Sequence, residues 1–424
     1  MRSYRILLRQ GILPGTGYTG PQDVLFSDGR IVEIAPNITD PDAEVIDCKG
    51  LVVTSGFVDV HVHFRVPGRP DKETVLTGSQ SAARGGYTTV CPMPNLDPVP
   101  DTPEHLAEEQ ALIDRDAVIE VLPYAAITLG RAGKKVVDIE SLKDSVCGFS
   151  DDGSGVQDDA VMAEAMDRVA AAGSILAAHC EVNSLLHGGY IHDGVYAHEH
   201  GHKGICSESE WGQIARDVEL AEKAGCHYHV CHISTKESVD IIRRAKQRGV
   251  NVTCETGPHY LVLSENDLQE EGRFKMNPPL RSLDDKAALI EGIVDSTIDV
   301  IATDHAPHTA EEKSRGLQGS AMGIVGLETS FPVLYTKLVK TGVISLEKLL
   351  DLMSGAPRRV FGLGGGLKVG ERADIAVFDI EKPYTIDSSE FLSKGHATPF
   401  EGMTVYGRCK MTFYNGKKVF QDSE

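Results

Sequence analysis

The stretch GFVDVHVHFR, residues 56–65, starts as a run of aromatic and β-branched residues and ends in two histidines and an arginine. Such a run favours a strand, and strand side chains alternate between faces, so His61 and His63 project to the same side. Taking this strand as Phe57–Phe64, seven more short apolar runs follow: Tyr87–Cys91, Val118–Ala126, Val146–Ser150, Ser174–Ala178, His227–Cys231, Asn251–Cys254 and Asp299–Thr303. Helical patterns lie between them. In 160–171, Val161, Met162, Ala165, Met166, Val169 and Ala170 recur at helical spacing. Capping-box pairs, Ser207 with Glu210 and Ser234 with Glu237, mark two expected helix starts. Eight strand–helix units predict an α/β fold, a (β/α)8 TIM-like barrel over residues 54–365.

The two ends read differently. Residues 1–53 hold strand-like pieces such as SDGRIVEI and AEVIDCKGLVV, and residues 366–424 hold ADIAVFDI and GRCKMTFYNGKKVF with an Asn415–Gly416 turn. Neither piece buries much apolar surface alone, so a small β-sandwich domain built from both termini is expected beside the barrel. The glycine-rich GLGGG at 362–366 is read as a connector.

Barrels of this type carry their chemistry at the C-terminal ends of the strands. There the sequence offers His61-Val62-His63 and Arg65 after the first run and Asn95 after the second. The Asp151–Asp152 pair follows the fourth, His179 the fifth, His232 the sixth, Asn277 lies beyond the seventh, and Asp304 with His308 follows the eighth. A lone H-x-H reads equally well as strand histidines with hydrogen-bonded rings. Further histidines and aspartates at the same end of successive strands favour a metal centre, because imidazole and carboxylate suit Zn²⁺. Six such ligands exceed one tetrahedral zinc and point to a two-metal site with an anionic bridge from the Asp151–Asp152 pair. His198, His200 and His202 are read as a solvated loop, His227 and His229 as packing or hydrogen-bonding strand residues, and His259 and His305 are left open. No G-x-S-x-G elbow or phosphate-binding P-loop is present.

The 424 residues are 41% hydrophobic and 25% charged, ordinary for a globular enzyme. Lys and Arg number 42 against 62 Asp and Glu, a net charge of −20, which disfavours nucleic acid and anionic membranes as partners. An anionic substrate would then need cations gathered locally in the pocket. Nine cysteines without a C-x-x-C pair argue against a disulfide framework. With no signal-like N-terminus and no apolar run near the ~20 residues that cross a bilayer, a cytoplasmic protein is expected.

Seven segments, GFVDVHVHFR (56–65), PMPN (92–95), FSDDG (149–153), AAHCE (177–181), HVCHISTKES (229–238), KMNPPLR (275–281) and IATDHAPH (301–308), together resemble bacterial dihydroorotases of the longer, metal-dependent type in the amidohydrolase superfamily. The resemblance spans essentially the whole chain. It implies reversible, zinc-dependent cyclisation of N-carbamoyl-L-aspartate to dihydroorotate in pyrimidine synthesis. It implies metal ligation by His61, His63, Asp152, His179, His232 and Asp304, with two Zn²⁺ bridged by Asp152 and hydroxide and with Asp304 also the catalytic proton carrier. It implies substrate contacts from Arg65, Asn95, Asn277, His308, Met322 and Gly323. The polar, glycine-containing stretch 309–323 is read from its composition as a loop able to move over the substrate. Related enzymes bridge their metals with a carboxylated lysine, but no lysine lies between Lys143 and His179. The resemblance also implies a homodimer and allows association with aspartate transcarbamoylase. The competing expectations are another cyclic amidase, a hydantoinase or allantoinase, and a non-catalytic dihydroorotase-like scaffold.

Overall fold

The computed structural model describes residues 5–423; the first four residues of the expected N-terminal piece and Glu424 lie outside them. Parallel strands alternate with helices through the middle of the chain. Phe57–Val62 pairs with Tyr87–Pro92, which pairs with Glu120–Val121. A second parallel sheet runs in chain order through Tyr124–Ala125, Gly148–Phe149, Ile175–Ala178, His227–Val230, Val252–Thr256 and Val300–Ile301. A parallel bridge between Val62 and His305 joins the end of this sheet to the first strand. Between them, Val58, Cys91, Tyr124, Ala177, Cys231 and Val300 form one buried cluster drawn from successive strand regions.

Two expectations change here. The run Val118–Ala126 is not one strand but two, Glu120–Val121 and Tyr124–Ala125, because Pro123 has no N–H for a ladder. The expected capping boxes are absent. Ser207 makes no side-chain cap, and the helix Lys236–Gln247 is capped by Thr235, not Ser234. Glu210 serves the neighbouring helix instead: its buried carboxylate accepts from the Ser234 and Thr235 amides at 2.9 and 3.1 Å and from the Ser238 hydroxyl at 2.7 Å. Asp159–Ala171 forms a helix that buries Met162, Ala165, Met166 and Val169, the expected apolar face.

The termini build two four-stranded sheets. One orders Arg30–Ala35, Gln22–Ser27, Arg5–Gly11 and Glu44–Asp47; the other orders Lys417–Gln421, Arg408–Tyr414, Ile375–Asp379 and Val52–Ser55. They share a buried cluster in which Ile6, Val24 and Phe26 meet Val53, Ile375 and Phe413. The Asn415–Gly416 turn has both residues at positive φ, 49° and 72°, the geometry that lets a two-residue hairpin follow strand twist. The strand Val52–Ser55 straddles the expected 53/54 boundary. Part of the C-terminal segment leaves the sheets: Ile386, Phe400 and Val405 join the main core, and the Ser393 hydroxyl donates to Glu73 at 2.5 Å. No helix among the described residues is long and apolar enough to cross a membrane.

Candidate active site

The candidate residues converge at one end of the parallel strands. His61 lies within the first strand, where the register against Tyr87–Pro92 shifts between Asp59 and Val62. Arg65, His232 and Asp304 take positive φ (62°, 29° and 48°), a conformation that costs a non-glycine residue roughly 1 kcal/mol or more. Local bonds over-determine it: Arg65 Nε donates to Pro307 O at 3.2 Å, and the His232 amide reaches Glu255 Oε1 at 3.3 Å.

The ring nitrogens crowd against the carboxylates, and His179 Nδ1 lies 3.0 Å from His232 Nε2. His61 Nδ1 donates to Glu255 Oε1 at 2.6 Å, and Nε2 lies 3.2 Å from Asp152 Oδ1. His63 Nδ1 hydrogen-bonds Asn95 Oδ1 at 2.8 Å, and its Nε2 hydrogen-bonds Asp304 Oδ1 at 3.0 Å. Asp152 Oδ1 also lies 3.8 Å from His179 Nδ1 and 3.7 Å from His232 Nε2. Four buried atoms of the cluster, His61 Nε2, Asp152 Oδ1, His179 Nε2 and His232 Nδ1, have no hydrogen-bond partner among the described residues. Buried acceptors turned toward one another are costly unless a cation sits between them. The electrostatics agree. Burial works to lower the His61 pKa, yet the Asp152 and Glu255 carboxylates hold it well above its ordinary value. Burial likewise opposes ionisation of Asp152, and His61 and His232 pull it well below the usual carboxylate range. Two His/Asp triads, His61–His63–Asp304 and His61–Asp152–His232, bring ligand atoms within 4.8 Å of one another. The donor set fits a borderline divalent ion.

Above this cluster opens a cavity of about 230 Å³, lined by five of the six candidate ligands, His63, Asp152, His179, His232 and Asp304, and by Arg65, Asn95, Asn277, His308, Met322 and Gly323. His61 lies beneath, fully buried. Burial pushes the Arg65 guanidinium down to about 10, so it stays charged at neutral pH. Nε to Pro307 O is its one hydrogen bond among the described residues, so the terminal nitrogens of this cavity-lining side chain have no partner there. His308 is neutral: burial, then the Arg65 and Lys72 charges, push it down to about 3. Lys72 Nζ donates to its Nδ1 at 3.0 Å, and its Nε2–H donates to Met322 O at 2.7 Å. Asn277 Nδ2 donates to Glu181 Oε1 at 2.8 Å. Gly323 has φ 136°, and a Cβ there would meet Ala306 O at 2.6 Å, so the loop closes on the cavity only with glycine.

A family model described as Dihydro-orotase-like matches residues 50–238. A Bacillus cereus protein named Dihydroorotase is 52% identical over 402 residues, 94% of each chain. A Listeria innocua protein of the same name is 51% identical over 422 residues, 99% of each chain. The chain belongs to the dihydroorotase family. Among solved structures, L-hydantoinase (dihydropyrimidinase) from Arthrobacter aurescens superposes with a TM-score of 0.88 at 28% identity, over 99% of this chain and 97% of that one. Dihydropyrimidinase from Brevibacillus agri superposes at 0.85 with 23% identity over 99% and 96%, a likeness of fold.

This dihydroorotase-family site contains residues that the sequence did not single out. Glu255 is buried and holds His61, His229 and the His232 amide. It was missed because the seventh strand was ended at Cys254, whereas the strand runs Val252–Thr256; a lone carboxylate inside an apolar run was the available signal. Glu181 joins Asn277 to the His179 side, 3.8 Å from Nε2. Asp151 turns from the cluster and accepts from the Ile127 and Thr128 amides at 2.8 and 3.0 Å. His305 supports the first strand: its carbonyl accepts the His63 amide at 2.8 Å, and its ring faces Glu73 at 3.4 Å. His259 is buried with Nε2 unpartnered. His229 hydrogen-bonds Thr253 at 2.8 Å, as does His227 at 3.0 Å. The segment of His198, His200 and His202 is no plain loop: Val195–His200 is a short helix, and His202 pairs with Tyr190 and Glu270, each at 2.8 Å.

Proposed function

We propose that this chain is a dihydroorotase, a hydrolase acting on a cyclic amide, which interconverts dihydroorotate plus water with N-carbamoyl-L-aspartate and runs toward ring closure in pyrimidine synthesis. The observation that carries this reading is Arg65, a half-buried guanidinium on the wall of the cavity that holds the His/Asp cluster, with Nε to Pro307 O its one hydrogen bond among the described residues. A planar fork matches the two oxygens of a carboxylate, and the substrate carries one beside its amide ring.

In this reading His61, His63, Asp152, His179, His232 and Asp304 would hold two zinc ions, which would supply Lewis acidity toward the ring carbonyl and lower the pKa of water. Asp304 accepts the proton of the attacking water and returns it to the departing ring nitrogen; the same group serves ring closure. Burial opposes its ionisation, but the His61 and His63 rings hold its carboxyl below the usual range, so it enters the reaction as the anion. Asn95 and His308 complete the carboxylate pocket beside Arg65, and Asn277 meets the polar edge of the ring. Met322 and Gly323 close the apolar side. The fold is read as a closed (β/α)8 barrel over residues 54–365 beside a small β-sandwich from 1–53 and 366–424. Support comes from the in-order parallel strands, the Val62–His305 bridge and the shared core of the two terminal sheets.

The test is dihydroorotate hydrolysis with metal quantified before and after chelation, beside hydantoin, allantoin and dihydrouracil. Activity confined to dihydroorotate and lost with the metal is the expected result. Preferential turnover of an uncharged ring would move the chain to the hydantoinase reading, and full metal occupancy without any turnover would favour a scaffold.

A further inference from the structure

Two buried lysines lace the cavity wall together, and neither has a part in the chemistry above. Lys313 ends the short helix Ala310–Lys313, whose start is closed by a capping box between Thr309 and Glu312. It is 8% exposed, and Nζ donates to three carbonyls: Lys275 at 3.0 Å, Ala321 at 2.7 Å and Gly323 at 2.7 Å. An ammonium has three hydrogens, so these acceptors saturate it.

The acceptors belong to two segments that meet at the cavity wall. Lys275 begins the stretch that runs to Asn277, and Ala321 and Gly323 flank Met322; Asn277, Met322 and Gly323 all line the cavity. Lys275 returns the contact. Its Nζ donates to Gln318 O at 2.9 Å, and its carbonyl also accepts the Gly323 amide at 3.0 Å. The arrangement is costly. Burial, then the like charge of Lys275, pushes Lys313 down to about 7. An apolar side chain of the same length would fill the space without desolvating a charge, so what the ammonium adds is the geometry of three carbonyls.

We propose that Lys313 is a positioning residue for the substrate: by tying the Lys275–Asn277 segment to the Ala321–Gly323 loop, it fixes the wall against which the amide ring is held. The inference rests on the reading of this cavity as the cyclic-amide site. Lys313 touches no substrate atom; it acts through Asn277, Met322 and Gly323.

The test compares Lys313→Met, which keeps the stem and removes every donor, with Lys313→Gln, which keeps two donor hydrogens. With zinc in excess, Lys313→Met should raise KM for dihydroorotate at least tenfold while kcat stays within threefold and metal content is unchanged, the signature of lost binding shared by ground and transition states. Lys313→Gln should fall between it and the parent. A readout without substrate accompanies this: trypsin cleavage after Arg315 should quicken at least tenfold in Lys313→Met. A lowered melting temperature with parental KM would make Lys313 merely structural and overturn the proposal, as would unchanged cleavage. If Lys313→Met does not fold, Lys313→Gln is judged by the same two readouts. If the parent itself fails on dihydroorotate, the functional reading falls, and the cleavage rates still decide whether Lys313 holds the loop.

Discussion

Glu255 Oε1 accepts a 2.6 Å hydrogen bond from His61 Nδ1 and thereby aims the opposite ring nitrogen at Asp152. The same carboxylate accepts from His229 Nε2 at 3.1 Å and the His232 amide at 3.3 Å. A carboxylate can accept from all three; the amide of Glu255→Gln cannot, because its nitrogen meets a donor. Partners of this kind typically contribute 10–100-fold in metal affinity. Glu255→Gln should therefore fold normally by circular dichroism but lose zinc about 10–100-fold more readily to a competing chelator, with turnover recovered at excess zinc. Parental zinc retention would remove Glu255 from the metal site.

Arg65 faces the cavity with its fork unpaired, and it supplies positive charge on a chain whose net charge is −20. A charge-assisted bond to a carboxylate contributes roughly 1.5–3 kcal/mol. Arg65→Met should lower kcat/KM for dihydroorotate by about 100-fold or more and leave bound metal unchanged. A variant with parental kcat/KM would show that the substrate carboxylate is held elsewhere.

The metal-facing histidines were legible because each follows a short apolar run, and the H-x-H pair states its own geometry. The side of the chain that supports them was not. Glu255 sits inside a strand, where periodicity predicts apolar residues, and only the fold brings His61 and His229 to it. The Ser207–Glu210 capping signature failed because Glu210 has a tertiary use: five donors from Ser234, Thr235 and Ser238 outweigh one cap. The residues' own physics could not choose between Asp151 and Asp152, since adjacent strand-end carboxylates differ only in direction; only the resemblance pointed to Asp152. In the fold, Asp151 ties down Thr128 while Asp152 faces His61. Pro123 carried the signal for the break in the third strand, but the continuous apolar run Val118–Ala126 was read through it.

Removing the metal should destabilise the protein as well as silence it. His61 Nε2, Asp152 Oδ1, His179 Nε2 and His232 Nδ1 are buried without partners. A cation bound to the folded state alone adds about 4 kcal/mol at a thousandfold excess over Kd. The melting temperature should fall on chelation and climb with added zinc in a concentration-dependent way. A melting temperature indifferent to chelator and zinc would mean that no cation closes this cluster.

Acid should weaken the fold through two histidines remote from the metal cluster. His192 is held down to about 4 by burial and then by the Arg281 charge, and His227 to about 4 by burial and then by His229. In both, the folded pKa lies below the unfolded value of about 6.5. Their contribution is thus fully present above pH 6.5 and lost as pH falls toward 4, because the unfolded chain takes protons that the fold refuses. Each group lowers stability by up to ~1.4 kcal/mol per pH unit in that window. Urea midpoints measured at pH 7, 6 and 5 should fall progressively. His192→Asn keeps an acceptor for Arg281 Nη1, which lies 3.3 Å from His192 Nδ1, and cannot titrate. Its midpoints should fall less steeply between pH 6 and 5 than the parent's; equal slopes would show that His192 is already protonated in the fold.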